Sequence, residues 1–110
     1  MGKEPRVFRF GSFEFDEGRQ ELRHDAVAVP LHATPMRLLA YLLKHRDRRV
    51  AKETLLKEVW PDVVVSDTAL SSALKAIRQA LGDDGAQQRW IRTMRGVGYQ
   101  FVGPVEEVGE

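Results

Sequence analysis

The sequence predicts an α+β domain: an N-terminal antiparallel sheet, three helices and a C-terminal β-hairpin. Three observations carry this. Apolar side chains alternate through Val7-Phe8-Arg9-Phe10 and Phe13-Glu14-Phe15-Asp16, the period of a strand with one buried face. Three later segments space their apolar residues by three and four, the period of a helix packed on one side. After the last of these a Gly82-Asp83-Asp84-Gly85 break leads into Trp90–Phe101, where two short apolar runs flank Gly96-Val97-Gly98.

The alternating segments open the chain, with a turn or bulge at Gly11-Ser12 and another turn at Glu17-Gly18. Gln20–Arg23 and Val27–Val29 read as further strands on either side of His24-Asp25. The result is a sheet of three or four strands with one face covered by helices. Thr34-Pro35 reads as the first helix start, because Thr caps free N–H groups and Pro suits the first helical position. Met36, Leu39, Leu42 and Leu43 share a face of this helix, which closes near His45 in the polar run Lys44–Arg49. Positive charge there suits the negative end of the helix dipole. The second helix spans about Lys52 to Trp60, with Leu55, Leu56 and Val59 inward and Pro61 as its stop. Ala51 at its start is a poor cap, at a cost of about 1 kcal/mol.

The third helix runs from Ser66 to Leu81, with Ser66 as cap and Gly82 beyond its end. Leu70, Leu74, Ile77 and Leu81 fall on one arc. The opposite arc holds Thr68, Ser72, Lys75 and Gln79, with Ser71 and Ala76 on its flanks. These small or hydrogen-bonding side chains let a backbone approach base edges in a major groove.

Length and composition narrow the classes. A chain of 110 residues forms one domain with a single core. Residues 1–104 are expected to form it and 105–110 a tail or linker start. At 43% hydrophobic and 30% charged, the composition is that of a soluble globular domain. No apolar run approaches the ~20 residues that span a bilayer, and Met1–Pro5 lacks the apolar core of a signal peptide. Cysteine is absent, which excludes disulfides and thiolate metal sites and fits a cytoplasmic location. The net charge is only +1, yet residues 34–60 carry seven Lys/Arg against three Asp/Glu, while residues 101–110 carry three Glu and no cation. That distribution is a basic patch, not a basic protein. A solvated helix face is the plain alternative.

Two helices joined by a turn and followed by a hairpin is the order of a winged helix-turn-helix. In that order the chain resembles the C-terminal effector domain of OmpR/PhoB-type regulators, shared by CadC-like and ToxR-like one-component regulators. The resemblance covers about Val7 to Val102. It is carried by Phe13–Asp16, Leu31–Pro35, Leu55-Leu56-Lys57-Glu58-Val59-Trp60, Ile77–Asp83 and, most specifically, Ile91-Arg92-Thr93-Met94-Arg95-Gly96-Val97-Gly98-Tyr99-Gln100-Phe101.

The resemblance implies sequence-specific binding of double-stranded DNA by a bacterial transcriptional regulator. It brings Thr68, Ser71, Ser72, Lys75 and Arg78 of the third helix to the DNA. It also puts Thr93 on a phosphate, Arg95 of the wing in or beside the minor groove, and the Trp60 indole N–H on the backbone. The periodicity selects Thr68, Ser72 and Lys75 independently. It sets Arg78 on a flank near the core, which points to a phosphate rather than a base. In family members the first helix usually has an acidic residue where Arg37 stands, whose absence removes a possible capping interaction, and the third helix often carries Arg at the position of Thr68 and Asp at that of Ser71. This recognition helix is therefore less charged, and the target sequence does not carry over. The resemblance implies that loop 61–65 can meet RNA polymerase; its three valines packing under the domain is the other reading. The domain is expected to be a monomer alone and paired on tandem DNA sites, with no membrane contact. A native start at Met1 would make it a one-component regulator with its sensor after Glu110; otherwise a receiver could precede it.

Other constellations lead nowhere. Gly96-Val97-Gly98 lacks the third glycine and following helix of a phosphate loop. His24, His32 and His45 have no ligand spacing, so no metal or cofactor is expected. No nucleophile elbow is present, so the chain is not read as an enzyme. Arg46-Asp47-Arg48-Arg49 is a phosphate-binding corner or a solvated helix end. Two rival functions remain: a winged-helix protein-interaction module without DNA binding, and a single-strand or RNA binder stacking bases on Trp90 and Tyr99.

Overall fold

The computed structural model describes residues 6–108. Strands β1 (Val7–Phe10), β2 (Phe13–Asp16), β3 (Glu21–His24) and β4 (Val27–Val29) are followed by helices α1 (Ala33–Lys44), α2 (Lys52–Val59) and α3 (Asp67–Ala80). Strands β5 (Ile91–Met94), β6 (Gly98–Phe101) and β7 (Glu106–Val108) complete the chain. A five-stranded sheet has the order β4-β3-β2-β1-β7, and β5-β6 form a separate hairpin. All pairings are antiparallel.

Alternation decides which side of the sheet is covered. Phe8, Phe10, Phe15 and Leu22 are fully or almost fully buried, whereas Arg9 and Glu14 face each other across β1 and β2 and pair at 2.9 Å. Helix α1 is the centre of the molecule. It buries Pro35, Met36, Leu38, Leu39, Ala40, Leu42 and Leu43 and packs on α2, α3 and β6. At its C-terminal end the Lys44 ammonium meets Glu17 at 2.6 Å, tying the helix to the sheet. Burial would raise the Glu17 carboxyl, but Lys44 and the Arg6 N–H outweigh it and hold the group below its ordinary value.

Three expectations are corrected. Residues 106–108 are not tail: β7 pairs with β1 in the register Val7↔Val108, Phe8↔Glu107 and Arg9↔Glu106. Glu107 also lies 3.3 Å from Arg6 and 3.8 Å from Arg46, so charge as well as backbone pairing docks this strand. Helix α1 begins ahead of Thr34, with His32 as N-cap and no side-chain cap. Pro35 is still tolerated, because the first turn's N–H groups have no intrahelical partner; the first bond is Met36 N–H to His32 C=O at 3.0 Å. Ser66 occupies the N-cap of α3, but its hydroxyl makes no capping bond. Asp67 instead accepts from the Lys52 ammonium at 2.9 Å, which links the starts of α2 and α3.

The β3–β4 hairpin turns on Asp25 and Ala26, both with positive φ (51° and 69°), as a type I′ turn requires. Ala is strained there and Gly is not. Ala26→Gly is therefore expected to raise stability by about 0.5–1 kcal/mol, read as a higher melting temperature.

Candidate nucleic-acid interface

The interface starts from the unpacked side of α3. Its inward arc is Leu70, Ala73, Leu74 and Ile77, with Leu81 just beyond the helix, all buried. Thr68, Ser71, Ser72, Lys75 and Gln79 are all exposed, so the row selected by periodicity is the one left free. Asp67 stands at the positive end of the helix dipole, where an acidic side chain is favoured, and Lys52 partners it.

The hairpin follows after a polar connection. Asp83 is 7% exposed, and its carboxylate accepts from the backbone N–H groups of Asp84, Arg89 and Trp90, each at 2.8 Å, with Ile91 N–H at 3.4 Å. Burial alone would raise the Asp83 carboxyl; the four backbone N–H groups outweigh it and hold it below the ordinary value. The side chain therefore fixes where β5 begins. Beyond it, Trp90 is buried with its ring centroid 5.3 Å from that of Phe10 and 5.9 Å from that of Phe101. Tyr99 exchanges two backbone hydrogen bonds with Val50, at 2.8 and 2.9 Å, so β6 is also pinned to the segment before α2. The turn at Arg95-Gly96-Val97 closes with Val97 N–H to Met94 C=O at 2.9 Å. Arg92, Thr93, Arg95 and Val97 are exposed.

One pair of the expected residues is brought together. Arg78 Nη2 donates to Thr93 Oγ1 at 2.9 Å and to Ile91 C=O at 2.9 Å. Thr93 N–H in turn donates to Gln88 Oε1 at 2.9 Å. Trp60 is the C-cap of α2, half-buried against the core, and among the described residues it makes no hydrogen bond to the other expected residues. In loop 61–65, Val63 and Val64 are exposed (60% and 101%), so of the three valines only Val65 packs even partly. The sequence-level expectations missed Asp83 and Val50. Asp83 looked like one more turn residue beside Asp84, since its acceptors' partners lie up to eight residues ahead. Val50 takes part through its backbone alone. Among the described residues no group of three or more His, Cys, Asp or Glu could hold a metal ion, and no helix is long and apolar enough to cross a membrane.

A recognition-type helix with a free polar face, beside a hairpin locked to it and to the linker before α2, is a winged helix-turn-helix. Residues 26–101 match the family described as "Transcriptional regulatory protein, C terminal". The chain belongs to this family. As a transcriptional regulatory C-terminal domain it is similar to the regulator HilA of Salmonella typhimurium, 38% identical over 68 residues, which are 62% of this chain and 12% of that protein. It is 31% identical over 96 residues to the regulatory protein KdpE of Mycobacterium tuberculosis, covering 86% of this chain and 42% of KdpE. The regulatory domain thus spans less than half the length of these relatives. Among solved structures, the DNA-binding domain of RstA from Klebsiella pneumoniae, determined in complex with the RstA box, superposes with a TM-score of 0.75 at 25% identity, covering 86% of this chain and 95% of that one. The family is one of transcriptional regulators, not a class of enzymes.

Proposed function

We propose that this domain binds double-stranded DNA sequence-specifically as part of a bacterial transcriptional regulator acting in the cytoplasm. The observation that carries this is the exposed row Thr68, Ser71, Ser72 and Lys75 on α3, set beside a hairpin whose turn exposes Arg95. Small polar side chains on α3 let the helix approach base edges, and Lys75 supplies a donor suited to guanine. Arg95 is the wing's contact with phosphate or a narrow minor groove, Thr93 offers a hydroxyl to phosphate, and the Trp60 indole N–H is a further backbone donor. Phosphate contacts set the register; α3 supplies the sequence information. The DNA-binding domain of RstA, solved in complex with the RstA box, supports DNA as the ligand.

The exposed Val63 and Val64 favour loop 61–65 as a surface for RNA polymerase over packing beneath the domain. Trp90, buried in the core, argues against base stacking by a single-strand binder. The domain is a monomer alone and pairs on tandem half-sites; sedimentation without DNA should show one species of about monomer mass.

Binding curves on a selected and a random duplex at two salt concentrations test the assignment. Lys75→Ala is expected to cost about 1–3 kcal/mol on the selected duplex and to relax preference at one or two positions. Arg95→Ala should weaken both duplexes and flatten the salt slope by about one unit. Both side chains are exposed, so melting temperatures should hold. If both variants bind like the parent, the polar face of α3 serves a protein partner instead.

A further inference from the structure

Arg78 stands apart from the other polar residues of α3. It lies on the flank of the helix, half-buried, and its guanidinium is turned toward the hairpin, not away from the domain. One nitrogen, Nη2, donates to both Ile91 C=O and Thr93 Oγ1 at 2.9 Å. Nε is buried and, among the described residues, has no hydrogen-bond partner. An unpaired buried donor is unfavourable, so the two charge-assisted bonds must hold the guanidinium in this pose. A side chain kept only for a phosphate would have no reason to desolvate Nε against β5.

The anchored atoms lie close to the wing's working end. Arg95 is two residues beyond Thr93, about 6–7 Å of extended chain. Elsewhere the wing is held at its start by Asp83 and along β6 by Val50. Arg78 supplies the one side-chain tie in this set that runs directly from within α3 to β5. The geometry points to Arg78 as a positioning residue that sets the spacing between the base-reading helix and the wing, and through it the groove position that Arg95 reaches. Arg78 is thereby a determinant of specificity at flanking positions it does not touch. This rests on the DNA-binding function above.

The test is a double-mutant cycle between Arg78→Gln and Arg95→Ala, on duplexes selected from a random library with the parent domain. An A·T-rich flank is placed at its selected distance or shifted by a few base pairs. Alone, Arg78→Gln should bind roughly tenfold more weakly, the scale of interrupted bonds from a charged donor, and should lose the preference for the selected flank distance. In the Arg95→Ala background it should add less than about a twofold loss, because its effect passes through the wing. Losses that multiply, with a further drop of about one unit in salt slope, mean a direct phosphate contact and overturn the assignment. If Arg78→Gln melts below the assay temperature, Arg78→Lys takes its place in the cycle. Retained charge without the planar donor geometry should still lose flank preference, and parent-like behaviour of Arg78→Lys overturns the assignment. A parent that binds no duplex overturns DNA binding itself, a result distinct from either outcome of the cycle.

Discussion

Gly98→Ala should lower the melting temperature by more than ~10 °C, corresponding to a loss of about 3 kcal/mol or more. A Cβ at Gly98 would overlap Val50 O and sit 2.7 Å from Val50 C and 3.0 Å from Ala51 Cα. These are backbone atoms. They cannot rotate aside, and moving them breaks the paired bonds between Val50 and Tyr99. The φ of +152° at Gly98 adds backbone strain for any other residue. Gly96→Ala is the matched control: its φ is +75°, but among the described residues nothing lies within 4 Å of the added carbon, so only a backbone penalty of about 1–2 kcal/mol is expected. Equal losses in the two variants would show that the close approach to Val50 does not exist in solution.

Asp83→Asn should cost about 1–3 kcal/mol. The carboxylate accepts four backbone N–H groups spanning the loop from the end of α3 to β5. An amide of nearly the same shape loses the charge and presents donors of its own to that ring of donors. The linkage with pH has a definite sign. The Asp83 carboxyl is held below its ordinary value in the folded state. Its contribution is therefore fully present above the unfolded-state value of about 3.9 and is lost as pH falls through the lower folded-state value. Melting curves from neutral pH to below about pH 4 should converge for parent and variant at the acid end. A constant gap across that range would mean that the charge is not what the N–H groups recognise.

Much of the fold is legible in the chain because its signals are local. The apolar periods of Leu70, Leu74, Ile77 and Leu81, and of Phe8, Phe10 and Phe15, name the buried faces directly. The same periodicity leaves Thr68, Ser72 and Lys75 outside, so the helical half of the candidate interface follows with it. What escapes is whatever depends on a distant partner. Strand β7 is three residues with two adjacent glutamates; nothing local makes it a strand, and only β1, about a hundred residues earlier, gives it one. The direction of the Arg78 guanidinium depends on where β5 lies. The start of α1 was displaced because Thr34-Pro35 is a strong local signal, yet backbone bonding from His32 makes the first turn without it. Asp83 escaped because an aspartate after a helix reads as solvated turn until the seven-residue loop that folds back over it is known.

The pairing of β7 with β1 also decides how the domain bears tension. Val7 and Val108 are opposite one another in an antiparallel ladder, so the chain enters and leaves at the same end of one strand pair. A pull on the two ends would load the ladder one rung at a time, from Val7↔Val108 inward, as in opening a zipper. Strands pulled in shear would share the load across every rung. The first mechanical event is therefore the peeling of a three-residue strand from the sheet edge, while α1, the aromatic cluster around Trp90 and the helix–wing unit still stand. Tension applied to both ends is thereby absorbed at that edge before it can reach the exposed polar face of α3.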